Sequence, residues 1–193
     1  TELISIVTAT YNRSNVLKYT IKSVLDQSFE NWELIIVGDC CTDDTEFVVN
    51  SFEDPRINFY NLEINIGEQS GPNNYGVALA QGEYIAFLNH DDLWFPDHLK
   101  GLYQTLKKTQ SDLVYSLYFP APTDKIKVIS NPNATRHTLN SGAPASSWLF
   151  KKQLSDEIGL WKYFREIYDV PSQDWLTRVY RAKKKISISN EVS

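Results

Sequence analysis

Short apolar runs of strand length alternate along the chain with stretches whose apolar residues recur at helical spacing. Leu3 to Thr10 is β-rich, with Ile4, Ile6 and Val7, and ends in the polar Tyr11-Asn12-Arg13-Ser14. Val16, Leu17, Thr20, Ile21, Val24 and Leu25 then mark one face of a helix that stops near Gln27-Ser28, with Ser14 or Asn12 as its N-cap. Trp32 to Val37 reads as a second strand ending at Gly38-Asp39. Thr42-Asp43-Asp44-Thr45 gives cap chemistry for a second helix through Val48, Val49 and Phe52, which Asp54-Pro55 breaks. Ile57 to Leu62 is a third strand, and Asn65-Ile66-Gly67 turns the chain. Ser70-Gly71-Pro72 opens a helix containing Val77, Ala78 and Leu79, with Gly82 in the C-cap position. A fourth strand begins at Glu83, a helix runs from Pro96 to about Lys108, and Leu113 to Phe119 is a fifth strand. Four strand–helix repeats in a row predict an α/β fold with a mostly parallel central sheet and helices on both faces.

After Phe119 the pattern changes. Pro120, Pro122, Asn131, Pro132, Asn133 and Asn140-Ser141-Gly142 predict loops around a short hairpin at Ile126 to Ile129. Apolar patterning resumes at Trp148-Leu149-Phe150. Two helical pieces follow, Lys152 to Ile158 and Ser172 to about Ala182, and Pro171 precedes the second. Ile186 to Ser189 reads as a last strand. Gln173 and Asp174 therefore fall in a first helical turn, where a carboxylate meets the positive end of the helix dipole.

The stretch that organises the rest is Glu83 to Trp94, where a hydrophobic strand ends abruptly in Asn89-His90-Asp91-Asp92. The C-terminal tips of such strands are where open α/β sheets bind ligands. Asp91 is expected to face inward. Beside His90 it suits a hard divalent cation that keeps some water and takes other ligands from a phosphate. The competing reading is that Asp92 caps the helix begun by Pro96.

Composition narrows the classes. The length of 193 residues fits one domain over residues 1–193, and a 42% hydrophobic content is that of a globular protein. No apolar run approaches the ~20 residues needed to cross a bilayer, so no transmembrane segment is expected. The net charge of -5 argues against nucleic-acid binding, and Lys183, Lys184 and Lys185 read as a solvated helix end. The two cysteines, Cys40 and Cys41, are neighbours and poorly placed to bridge, which points to a reducing, cytoplasmic setting. The absence of Met implies that the natural start is missing or processed.

Three separated pieces carry a family resemblance. They are Ser5-Ile6-Val7-Thr8-Ala9-Thr10-Tyr11-Asn12-Arg13, Val37-Gly38-Asp39-Cys40-Cys41-Thr42-Asp43-Asp44-Thr45, and Gly82 through Asp92. In this order and spacing they resemble the family 2 glycosyltransferases of the GT-A fold, a Rossmann-like nucleotide-binding architecture. The likeness implies a nucleotide-sugar-binding half at residues 1–110 and an acceptor-binding half at 111–193, short at its C-terminal end. It implies an inverting enzyme of polysaccharide biosynthesis that moves a sugar from a UDP-sugar to a saccharide or glycan acceptor with Mn2+ or Mg2+. It also implies a position at the inner face of the membrane.

The resemblance assigns positions. Thr8, Ala9, Thr10, Tyr11 and Arg13 fall where the family holds the nucleotide, Tyr11 offering a flat face for stacking, with core packing as its alternative. Asp39 matches the carboxylate that accepts from the uracil imide, or else it caps a loop. Asn73, Asn89 and His90 fall near the diphosphate, and Asp91 matches the metal-binding acid of the DXD motif. Asp174 matches the base that deprotonates the acceptor hydroxyl, or it is only a helix-start acid. His137 and Trp148 are candidates for the acceptor groove, Trp148 equally for the core. The departures are Ala9 for proline, Gly38 for aspartate, Cys40-Cys41 for Gly-Ser, Asn73 for an arginine near the phosphates and Asn89 for the first acid of the metal motif. The last two motivate the alternative of a nucleotide-sugar binding module without catalysis. A nucleotidyltransferase or a dehydrogenase would need a glycine-rich loop after the first strand, and Thr8 to Ser14 contains no glycine.

Overall fold

The structure, a computed structural model, describes residues 2–118 and 143–192. In chain order the elements are β1 (Ile4–Thr10), α1 (Ser14–Leu25), β2 (Trp32–Gly38), α2 (Thr45–Asn50), β3 (Ile57–Asn61), α3 (Ser70–Leu79) and β4 (Tyr84–Phe87). They continue with α4 (His98–Thr109), β5 (Leu113–Leu117), β6 (Trp148–Lys151), α5 (Gln153–Ile158), α6 (Pro171–Arg181) and β7 (Ile186–Val192). The strands form one seven-stranded sheet in the order β3-β2-β1-β4-β6-β5-β7. β1 to β4 pair in parallel, as the repeats predict.

The second half of the sheet departs from a simple continuation. β6 runs antiparallel between β4 and β5, with Ile85 opposite Phe150 and Val114 opposite Leu149. Trp148, Leu149 and Phe150 are each 0% exposed, and an apolar run with no polar alternation needs an interior position covered on both faces. Trp148 is therefore core. The expected hairpin at Ile126 to Ile129 and His137 lie outside the described residues.

Alternation along the strands sorts the core into two layers. Ile4, Ile6, Leu34, Ile36, Tyr84 and Ala86 meet α1, α2 and α4 on one face. Val7, Ile35, Val37, Ile85 and Phe87 meet α3, α5 and α6 on the other. Within the second layer Trp175 lies 5.9 Å from Trp148 and 4.8 Å from Phe150, centroid to centroid, so α6 is anchored by aromatic contact to β6.

Several caps differ from the sequence reading. Arg13, not Ser14 or Asn12, is the N-cap of α1. The Asn12 and Ser14 side chains instead bridge to Thr42 and Asp44, tying the first loop to the second. α4 starts at His98 with Asp97 before it, so Asp92 caps nothing. α3 ends at Leu79 with Ala80 as C-cap. Gly82 serves close approach instead: a Cβ there would stand 2.6 Å from the Leu3 carbonyl oxygen and 2.8 Å from the Ser5 nitrogen. Both obstacles are backbone and cannot swing away. Gly82→Ala is expected to cost about 1–3 kcal/mol through overpacking, measured as a lower denaturant midpoint.

Candidate active site

The C-terminal ends of β1, β2 and β4 open into a cleft of about 270 Å³. β1 leads into it through Ala9, Thr10 and Tyr11, β2 contributes Asp39, and the loop after β4 contributes His90. The connection from β3 to α3 closes the remaining wall with Asn65, Gly67, Glu68, Gln69 and Pro72. A wider depression of about 730 Å³, lined by Ser28, Phe29, Glu30, Asn31 and Lys100, lies at the opposite end of the strands and joins none of this chemistry.

Thr8 and Thr10 are 1% and 3% exposed, and among the described residues neither hydroxyl has a hydrogen-bond partner. An unmet buried hydroxyl costs about 1–3 kcal/mol, and both of these oxygens are closed off beneath the cleft wall. Tyr11 is half exposed at the mouth, which removes core packing as its role. Asp39 is buried and braces the opposite wall: Oδ1 accepts from the Ile66 N–H at 2.7 Å and Oδ2 from the Gly67 N–H at 2.8 Å. Its backbone oxygen accepts from Asn65 Nδ2 at 2.7 Å. The loop-capping role is thus present, and each carboxylate oxygen retains a second acceptor site for a ligand donor. Gly67, at φ 79°, takes the left-handed turn that lets two consecutive N–H groups reach one carboxylate.

Glu68 was not legible as a cleft residue. Burial holds its carboxyl above the usual range and the nearby Asp39 charge adds to this, while the Ser70 N–H acts in the opposite direction. The Ser70 hydroxyl also donates to it. Behind the cleft wall, outside its lining, Cys41 Sγ lies 3.6 Å from the Thr10 carbonyl oxygen, and burial pushes its thiol up, away from the reactive thiolate.

The acid pair is oriented opposite to expectation. A turn closes at this point, with the Asp92 N–H donating to the Asn89 carbonyl at 3.1 Å, so strand alternation no longer applies. Asp92 folds inward, its Oδ2 accepting from Ser146 Oγ at 2.5 Å and Asn89 Nδ2 at 2.8 Å. Asp91 points outward with its side chain 63% exposed. His90 Nδ1 meets the Ala9 carbonyl at 3.1 Å, so that nitrogen carries the proton. In the neutral ring Nε2 is then an acceptor, 3.9 Å from Asp91 Oδ2.

Other expected residues stand apart from the cleft. Arg13 is exposed at the start of α1, and Asn73 is buried in α3; neither lines the cavity. Asn74 does structural work that the sequence did not announce, exchanging two hydrogen bonds with the Trp161 backbone at 2.9 and 3.0 Å. Asn89 is committed to Asp92 and, through its N–H, to Ser146.

Asp174 sits in the first turn of α6, which Pro171 opens. Its Oδ2 accepts from Arg178 Nε at 2.8 Å, one turn on. Arg178 donates further to the carbonyls of Ile158 and Leu160, both at 2.8 Å, so the carboxylate is held by a fixed guanidinium. Among the described residues Asp174 Oδ1 has no hydrogen-bond partner.

The described residues hold no cluster of three His, Cys, Asp or Glu fit for a metal. Asp91, exposed at the rim beside His90, leaves a carboxylate free as an oxygen donor of the kind a hard cation such as Mg2+ or Mn2+ takes.

The model of the family described as "Glycosyl transferase family 2" matches residues 5–158. The chain belongs to this family. Among its relatives is WfaP of Escherichia coli, named a UDP-Glc:alpha-D-GlcNAc-diphosphoundecaprenol beta-1,3-glucosyltransferase. It is 32% identical over 142 residues, or 74% of this chain and 55% of the relative. Across the first relatives the matched stretch spans 35% to 55% of their own length. The fold is also that of S. aureus TarS residues 1–349 in complex with UDP-GlcNAc, with a TM-score of 0.82 at 20% identity over 98% of this chain and 58% of that one. The mannosyltransferase PcManGT of Pyrobaculum calidifontis, in complex with GDP-Man and Mn2+, gives a TM-score of 0.74 at 14% identity over 98% and 56%. The architecture is thus the GT-A fold that the resemblance implied. Asp174 lies beyond the residues the family model matches.

Proposed function

We propose that this chain is an inverting glycosyltransferase that uses a UDP-sugar and glycosylates a saccharide carried on a lipid diphosphate or a related glycan. The observation that supports this reading is the convergence of Thr10, Tyr11, Asp39 and His90 on one cleft, with Asp91 at its rim. In this reading the base stacks against Tyr11 and donates its imide hydrogen to Asp39. The diphosphate runs toward His90 and Asp91. Residues 2–110 then form the donor half and 143–192 contribute the acceptor half.

Asp174 acts as the base. Its carboxylate takes the proton of the acceptor hydroxyl as that oxygen forms a bond to the anomeric carbon, opposite the diphosphate. The bond from the anomeric carbon to the diphosphate oxygen breaks, its electron pair leaves with UDP, and the anomeric centre inverts without a covalent intermediate. Arg178 keeps Asp174 Oδ2 engaged and leaves Oδ1 for the hydroxyl. His90 and Asp91 are the residues that would hold a divalent cation, which when bound offsets charge on the departing diphosphate. The lipid-linked acceptor in the name of WfaP supports work at a membrane surface. The reduced cysteine pair supports the cytoplasmic side. Among the described residues no helix is long and apolar enough to cross a membrane.

The test is thermal unfolding with UDP, GDP, TDP or CMP, each with Mn2+, Mg2+ or chelator. UDP at ~100 times its dissociation constant is expected to stabilise the chain by about 2.7 kcal/mol. The shift should shrink in chelator, and Asp91→Asn should abolish the part that depends on metal. A UDP shift without transfer to any acceptor would leave a nucleotide-sugar binding module, the alternative that Asn73 and Asn89 motivate. No shift with any nucleotide overturns both.

A further inference from the structure

Between the loop that ends β4 and the start of α6 lies a short bridge, residues 143–147, whose two ends are held by different halves of the site. At one end Ser146 Oγ donates to Asp92 Oδ2 at 2.5 Å and accepts from the Asn89 N–H at 3.0 Å. The Ser146 carbonyl accepts from Trp94 Nε1 at 2.6 Å, which clamps the same loop from its far side. At the other end the Ala143 carbonyl accepts from Gln173 Nε2 at 2.8 Å, one residue before Asp174. Ser146 is 7% exposed and Ala143 1%, so water offers these groups little competition.

The bridge is stiff. Its centre is a 3₁₀ turn, Ala145–Ser147, and Ser147 Oγ closes back on the Pro144 carbonyl at 2.7 Å. Pro144, at φ -65°, has its backbone pre-set by its ring. The loop at the other side is equally fixed: Thr20 Oγ1 donates to the carbonyls of His90 and Asp92 at 2.8 and 3.1 Å. The loop that carries His90 and Asp91 is therefore joined to the turn that carries Asp174 by two sets of hydrogen bonds, Asn89 and Asp92 to Ser146 and Ala143 to Gln173, with the backbone of residues 143–146 between them.

We infer that residues 143–147 set the separation between the leaving-group side of the site and the base, and that Ser146 and Gln173 are positioning residues for the transfer. This rests on the reaction assigned above. It gives Asp92 a role distinct from Asp91: the inward acid of the pair holds geometry and leaves the outward one free to face the diphosphate. It also accounts for Asn89, whose amide serves the same junction. A displacement near 1 Å of a reacting group costs on the order of 10²-fold in rate, so a bridge of this kind acts on turnover more than on nucleotide affinity.

The experiment combines kinetics with a readout that needs no turnover. Ser146→Ala and Gln173→Ala are each expected to lower kcat by about 10- to 100-fold while UDP affinity stays within about threefold. Ser146→Thr, which restores the hydroxyl, is expected to recover most of the loss. Because both act through one bridge, the double variant should be scarcely slower than the slower single one. In parallel, the indole N–H signals are followed by NMR. Gln173→Ala should shift the Trp94 signal, at the other end of the bridge, and Ser146→Ala the Trp175 signal, whose N–H donates to the Gly159 carbonyl beside α6. Losses that multiply in the double variant, with neither distant indole moved, overturn the inference. Losses that follow a fall in UDP affinity or in folded fraction overturn it too. Distant shifts in a chain that binds UDP but transfers no sugar would support the bridge and sink the assigned reaction.

Discussion

Replacing Asp174 by Asn is expected to lower turnover by about 10² to 10⁴ and leave UDP binding unchanged. The range is that of a lost general base. The amide is nearly isosteric, and its oxygen still accepts the hydrogen bond that Arg178 Nε now gives to Oδ2 at 2.8 Å. What it loses is the ability to take a proton through the second oxygen. Asp174 is on α6, and the cleft that would bind UDP is built from the ends of β1, β2 and β4 and the loop before α3. Uniform binding and transition-state stabilisation should therefore separate in kcat and in UDP affinity. A variant that turns over normally would show Asp174 to be only an acid favoured by the helix start, and Arg178 its structural partner. A variant that loses UDP binding as well would place α6 against the donor.

The first half of the fold was legible because it obeys rules local to the sequence. β1, β2 and β4 are near-continuous apolar runs, and α1 carries one clean apolar face, so the parallel pairing of these strands and the end of the sheet that holds the cleft followed. β6 was not, because its place between β4 and β5 is decided by burial of Trp148, Leu149 and Phe150 against partners distant in sequence. Gly82 misled for a related reason: glycine after a helix reads as a cap, whereas here the Leu3 and Ser5 backbone leaves no room for a Cβ. In the site, Asp39 and His90 were placed from motif alone. Asp91 was expected to face inward and faces outward, because the chain turns between Asn89 and Asp92 where the strand has ended. Glu68 and Ser146 carry no motif, and only the chain's return to the sheet brings them to the site.

Acid is expected to destabilise the chain before its carboxylates titrate, through His98. This side chain is 1% exposed, stacks on Trp94 with centroids 4.5 Å apart, and among the described residues neither ring nitrogen has a partner. Burial lowers its pKa from 6.5 to about 3. The unfolded chain therefore binds a proton below pH 6.5 that the folded chain refuses. Stability is full above pH 6.5, falls as pH drops through the window between 6.5 and about 3, and levels off below it. The slope from one proton is about 1.4 kcal/mol per pH unit. Asp43, Asp54 and Asp112, all held below the usual carboxylate range, add losses of the same sign, but only as pH falls below their unfolded value of 3.8. Glu68, raised above 4.5, acts in the opposite sense and gives stability back on acidification. The interval from pH 6.5 to 5 thus isolates His98 from Asp43, Asp54 and Asp112, and the comparison with a His98 variant cancels Glu68. His98→Phe keeps a flat ring against Trp94 and has nothing to protonate. Denaturant unfolding at several pH values over that interval should show the wild-type slope lost in the variant. Parallel slopes in the two proteins would mean that His98 finds water or a partner on protonation, and that the acid sensitivity of the fold lies elsewhere.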